Sequence, residues 1–74
     1  MEQIVVREGS ALASQSLKDM QLRRYLDVIV LAIRKADGTM RFNPPGEAIV
    51  EGGDHLVVMG NPKDMQKLAE RMEG

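Results

Sequence analysis

Two apolar runs, Val28–Ile33 and Leu56–Met59, constrain the fold of this 74-residue chain more than any other feature. Both are rich in β-branched residues, and in neither do polar residues alternate with apolar ones. That pattern is typical of strands covered on both faces, whereas a sheet with one face in water shows alternation. Both faces of these two strands must therefore be covered in the folded protein.

Shorter patterns predict the other elements around these two strands. Three further strands are predicted from short β-branched or alternating runs: Gln3–Arg7, Met40–Phe42 and Glu47–Val50. Capping signals predict a short helix over about Ser16–Met20 and an amphipathic helix over about Asn61–Glu73, with an irregular helical turn at Leu22–Tyr25. We expect one α+β domain over residues 1–74, with a mainly antiparallel sheet of about five strands.

Two helices are too few to cover both faces of such a sheet. At a rise of about 1.5 Å per residue, the longer helix spans only about 18 Å. A large exposed apolar face is uncommon on a soluble monomer, and a second copy related by a two-fold axis often covers one. We expect a symmetric homodimer, the alternative being loops that fold over the face. The predicted interface residues are Val28, Val30, Ile33, Leu56 and Val58.

The composition excludes several classes of function. Ten Lys and Arg stand against eleven Asp and Glu, a net charge of −1, so no nucleic-acid partner is expected. Without cysteine, and with a single histidine, the chain has no basis for thiolate or multi-histidine metal sites. Its apolar runs are too short to insert into a membrane, and its start lacks the features of a signal peptide, so we expect a cytoplasmic protein.

Catalytic motifs are also missing from the sequence. The seven glycines form neither the GxGxxG nor the GxxxxGK[ST] pattern that binds nucleotide phosphates. No spacing indicates a nucleophile with its base, a metal cluster or a carboxylate pair. We therefore expect a protein that is not an enzyme and holds no resident cofactor.

A series of short motifs extends over most of the chain. In order, they are Gly9-Ser10-Ala11-Leu12, Ser16-Leu17, Leu22–Tyr25, Val28–Arg34, Asp37-Gly38, Asn43-Pro44, Ile49, Glu51-Gly52, Asp54 and Leu56–Gly60. In this order and spacing they resemble the TrkA C-terminal domain, also called the RCK C-terminal domain. Two positions depart from the family pattern: Gly53 lengthens a turn by one residue, and His55 opens a strand that is normally apolar there.

The resemblance implies a regulatory role in cation transport. Domains of this family serve potassium channels, potassium-uptake systems and cation–proton antiporters, usually after a Rossmann-like domain, and they dimerise. Some bind cyclic di-AMP or metal ions near the dimer interface. We expect a ligand-sensing and dimerisation domain that acts on a membrane cation transporter or its Rossmann-type subunit, as an excised domain or a free-standing protein. The alternative is a purely structural homodimerisation module without a ligand.

Five residues are candidates for contacts with a regulatory ligand such as cyclic di-AMP. Arg34 and Arg41 flank the Asp-Gly hairpin and could hold a phosphate through their forked donors. Asn43 could read a base or a carbonyl, and Pro44 would form a rigid apolar wall. His55 could change its charge near neutral pH.

Overall fold

The computed structural model describes residues 2–10, 12–22 and 26–73, without the side chains of residues 72 and 73. In chain order the elements are β1 (Glu2–Val5), α1 (Leu17–Met20), β2 (Val28–Arg34), β3 (Met40–Phe42), β4 (His55–Gly60) and α2 (Pro62–Glu73). These bounds confirm the predicted helices and four of the predicted strands. The helical turn predicted at Leu22–Tyr25 lies outside the described residues from residue 23 onward.

Both helices begin at the predicted capping residues. The Ser16 hydroxyl accepts a hydrogen bond from the backbone N–H of Asp19 at 3.1 Å, and this satisfies one of the free donors of the first turn of α1. The side chain of Asn61 accepts in the same way from Asp64, at 2.8 Å. Local polar groups therefore set where each helix starts.

The four strands form one antiparallel sheet in the order β1-β4-β2-β3. This confirms the predicted α+β class, with β2 and β4 in the centre. The fifth predicted strand, Glu47–Val50, does not join the sheet. It makes one isolated bridge between Ile49 and Ser16, and the N–H of Val50 donates to the Gln15 carbonyl, because this segment lies along the loop before α1.

The predicted hairpin between β2 and β3 closes on local hydrogen bonds. The Asp37 carboxylate accepts from the backbone N–H of Thr39 at 2.8 Å, and Gly38 has a φ of 91°, which favours glycine. Hydrogen bonds from the side chain and the backbone of Thr39 hold the pKa of Asp37 below its usual range. The Asp-Gly signal therefore predicted this turn correctly.

One face of the sheet packs into the core of the protomer. Leu56 and Val58 of β4 and Val28 and Ile33 of β2 are at most 1% exposed, and they pack with Leu68 of α2. The prediction that these four strand residues form the dimer interface is therefore wrong, because the protomer itself buries them. Val30, the fifth predicted interface residue, is partly buried against the same core.

The opposite side of the sheet, here called the second face, carries most of the exposed large apolar residues. Cross-strand partners share a face, so the pairs Ile29–Met59, Ala32–Phe42 and Val5–His55 place these residues on it. The exposed members are Val5, Ile29, Met40, Phe42 and Met59, with Phe42 the most exposed at 74%. Among the described elements, no helix covers this face. Helix α2 lies against β1 and β4 on the core side.

Candidate functional site

The structure divides the predicted ligand residues between two places. Arg34 and His55 lie opposite each other at the end of β2 and the start of β4. The guanidinium of Arg34 donates to Nδ1 of His55 at 3.1 Å. A cavity of about 290 Å³ lies beside the pair and is also lined by Lys35, Gly38 and Gly53.

Asn43 and Pro44 line a different cavity, of about 380 Å³. The backbone N–H of Asn43 donates to the Leu31 carbonyl at 2.9 Å, and its φ of 46° ends β3 in a left-handed conformation that asparagine tolerates better than most residues. Leu31 and Arg34 are three residues apart on β2, which corresponds to about 10 Å at about 3.3 Å per residue. The two predicted pairs therefore lie at separate positions along β2.

Arg41 stands apart from both pairs. It lies on β3 opposite Ile33, is exposed, and lines neither cavity. Arg34 and Arg41 flank the same hairpin, but they lie on opposite faces of the sheet. Arg34 is paired with Met40, and Arg41, the next residue of β3, points to the other face.

Sequence reasoning missed four residues of the Asn43 cavity, namely Leu17, Lys18, Ile29 and Gly46. Lys18 lines the cavity because α1 packs against the loop after β3. The N–H of Lys18 donates to the Gly46 carbonyl at 2.8 Å, and the N–H of Leu17 donates to the Ala48 carbonyl at 3.0 Å. The capping box predicted that Lys18 would lie on a short helix, but no local pattern indicated where that helix would pack.

A buried carboxylate holds the turn that leads into His55. Asp54 is 2% exposed, and its Oδ2 accepts from Lys35 Nζ at 2.7 Å and from the backbone N–H of Glu51 at 2.8 Å. Lys35 also pairs with Glu51 at 3.0 Å. Gly53, the extra residue of this turn, has a φ of 92° and donates to the Val6 carbonyl at 2.7 Å. These hydrogen bonds therefore hold the longer turn in place, and the turn keeps His55 beside Arg34.

Lys35 differs electrostatically from the other basic residues near the cavities. Burial by itself would lower the pKa of Lys35, but the hydrogen bonds and negative charges of Asp54 and Glu51 outweigh it, and the pKa is raised above 10.5. In the described part of the chain, these two contacts are the ion pairs present. The charges of Lys18 and Arg34 are thus not neutralised by a carboxylate of residues 2–10, 12–22 or 26–73.

No cluster of three or more His, Asp or Glu residues that could hold a metal ion occurs among the described residues. In the same part of the chain, neither helix has the length and apolar character needed to cross a bilayer.

A family model described as "TrkA-C domain" matches residues 1–73 of the chain. The K(+)/H(+) antiporter subunit KhtT of Bacillus subtilis is 32% identical over 68 residues, which are 92% of this chain and 41% of that protein. Potassium channel protein 1 of Methanocaldococcus jannaschii is 30% identical over 67 residues, 90% of this chain and 20% of that protein. The chain thus spans less than half the length of these two relatives.

Solved structures with the same fold include two complexes with a cyclic dinucleotide. The RCK_C domain dimer of S. agalactiae BusR in complex with c-di-AMP superposes with a TM-score of 0.87 at 19% identity, covering 97% of this chain and 93% of that one. The RCK C domain of the potassium transport protein KtrA, in complex with c-di-AMP, has a TM-score of 0.79 at 20% identity over 93% of this chain and 80% of that one. BusR bound to its busAB-promotor DNA has a TM-score of 0.88 at 19% identity, over 97% of this chain and 35% of that one.

Proposed function

The chain belongs to the TrkA-C domain family, and we propose that it is a cytoplasmic, dimeric regulatory domain of a potassium transport system that binds a cyclic dinucleotide. Its relatives include an antiporter subunit and a potassium channel. Two proteins of the same fold are complexes with c-di-AMP, and one of these is a dimer. The partner would be a membrane cation transporter or its Rossmann-type subunit. The predicted absence of enzymatic activity is part of the same proposal.

The cavity at Asn43 and Pro44 is the observation that carries the ligand proposal. Its apolar wall is formed by Leu17, Pro44 and part of β2, including the exposed Ile29, which could pack against a purine ring. The Asn43 amide both donates and accepts hydrogen bonds, which matches the paired donor and acceptor on an adenine edge. Asn43 is exposed, so its amide is available to a ligand.

Calorimetry with cyclic di-AMP tests the placement of this site. Asn43→Gly removes the amide and keeps a residue that tolerates the positive φ, so it should weaken binding about tenfold without disturbing the loop. Arg34→Ala, at the separate cavity beside His55, should weaken binding less than Asn43→Gly does. Gln66→Ala, an exposed amide of α2, is the matched control and should bind as the wild type does. Unchanged affinity in both Asn43→Gly and Arg34→Ala would discard this placement.

The second face supports the dimer proposal, but its residues differ from the interface residues that the sequence predicted. Its apolar residues are exposed on the protomer, and a second copy is a common cover for such a face. A ligand that prefers one arrangement of two copies over another shifts their populations by its difference in affinity. Ile29 belongs both to the second face and to the wall of the Asn43 cavity, which links the proposed ligand site to the proposed interface.

Ile29→Asp should convert the dimer into a monomer, because it places a charge in the proposed interface. Sedimentation equilibrium at micromolar concentration measures this change. Ile49→Asp is the control: Ile49 is 50% exposed and outside the sheet, while Ile29 is 40% exposed on the second face. A monomeric wild type, or an Ile29→Asp variant that stays dimeric, would contradict the proposal.

A purely structural dimerisation module remains the competing function. It predicts a dimer whose thermal stability does not respond to cyclic di-AMP, whereas a ligand at 100 times its Kd adds about 2.7 kcal/mol to the free energy of unfolding. Binding to DNA, which the BusR complex shows for a longer chain, is not part of the proposal, because this chain is close to neutral overall.

A further inference from the structure

We infer that Lys18 is the residue that contacts the anionic phosphate of a cyclic dinucleotide bound beside Asn43 and Pro44. This inference rests on the proposed function and assigns a residue to that site which neither the hairpin nor the family motifs indicated. Three observations carry it: the fixed position of Lys18, its charge among uncharged neighbours, and the distance of the alternative cations.

The backbone of Lys18 is held against the loop that carries Asn43 and Pro44. Its N–H donates to the Gly46 carbonyl at 2.8 Å, and its carbonyl accepts from the N–H of Gln21 at 3.1 Å. A Cβ built on Gly46 would lie 3.4 Å from the Cβ of Lys18, so the two segments touch at van der Waals distance. The root of the Lys18 side chain is therefore fixed at the cavity that Asn43 and Pro44 also line.

Lys18 is the charged member of the cavity wall. The other residues that line it are uncharged: Leu17, Val28, Ile29, Val30, Asn43, Pro44 and Gly46. Lys18 is exposed and has no ion pair with a carboxylate in the described ranges. Its positive charge is therefore available to an anion that binds in this cavity.

The other basic residues near β2 are less suited to this contact. Arg34 lies about 10 Å further along the strand, at about 3.3 Å per residue, and its guanidinium is bonded to His55. Lys35 is held by Asp54 and Glu51, which neutralise its charge. Arg41 does not line the cavity. A phosphodiester whose base packs on Pro44 and Ile29 therefore meets Lys18 first.

Calorimetric titration of the 74-residue chain with cyclic di-AMP tests the inference. Lys18→Gln should weaken binding about fivefold to tenfold, and Lys18→Arg should retain most of the affinity because the positive charge remains. The loss should shrink as salt is raised, since added ions screen the contact. Lys67→Gln is the control, because Lys67 is an exposed lysine of α2 and lines none of the cavities described above.

The outcomes separate this inference from the proposed function. Wild-type binding that weakens in Lys18→Gln but not in Lys67→Gln supports both. Wild-type binding with unchanged affinity in Lys18→Gln overturns the role of Lys18 and leaves the proposed function standing. Equal losses in Lys18→Gln and Lys67→Gln would reflect overall charge and would also overturn the role. No binding by the wild type overturns both proposals.

Discussion

Leu56→Ala is expected to lower the free energy of unfolding by about 2–5 kcal/mol, the range found when a large buried side chain is truncated and leaves a cavity. Leu56 is 0% exposed and lies in the core with Val28 and Leu68. For a small domain with about 4–11 kcal/mol of stability in total, this is a large fraction. Urea denaturation followed by far-ultraviolet circular dichroism measures the change.

The matched control lies three residues further along the same strand, on the second face. Met59 is 47% exposed, so Met59→Ala should cost the monomer less than about 1 kcal/mol. The comparison is made at a protein concentration low enough to keep the chain monomeric. Similar losses of unfolding free energy in Leu56→Ala and Met59→Ala would contradict the structure, in which Leu56 faces the core and Met59 faces the surface.

Asp54→Ala is expected to lower the free energy of unfolding by about 2–3 kcal/mol. The substitution leaves the N–H of Glu51 without its acceptor and removes the buried partner of Lys35. Because the Lys35 side chain is 30% exposed, the loss should be smaller than for a fully buried pair. Glu51→Gln is the control: Glu51 is 65% exposed, so its side-chain contact with Lys35 should be worth less than about 1 kcal/mol.

The same contact predicts a difference at alkaline pH. The pKa of Lys35 is raised in the folded chain, so its stabilisation is complete below the ordinary value of 10.5 and is lost as the pH rises through the raised value. Urea midpoints between pH 9 and 12 should therefore fall for the wild type. The fall should be smaller for Asp54→Ala, and an equal fall in both proteins would contradict a stabilising Lys35–Asp54 pair.

The predicted site shows how far spacing along the chain can indicate a binding residue. Asn43 and Pro44, predicted to contact a ligand, border a cavity on the loop after a hairpin. Arg34 and His55 contact each other although they are 21 residues apart, because β2 and β4 pair in this register. Lys18 was not predicted, since it reaches the site only through the packing of α1 on residues 46–48.

Local patterns were sufficient for the elements and their ends, because caps, turns and β-branched runs act over a few residues. The tertiary structure alone decided which face of each strand became core. Neither β2 nor β4 alternates in sequence, and a bulge between Val30 and Ala32 shifts the register, so that Val30 and Ile33 both belong to the core side. The face against which α2 packs is buried, while Ile29, Phe42 and Met59 on the opposite face stay exposed.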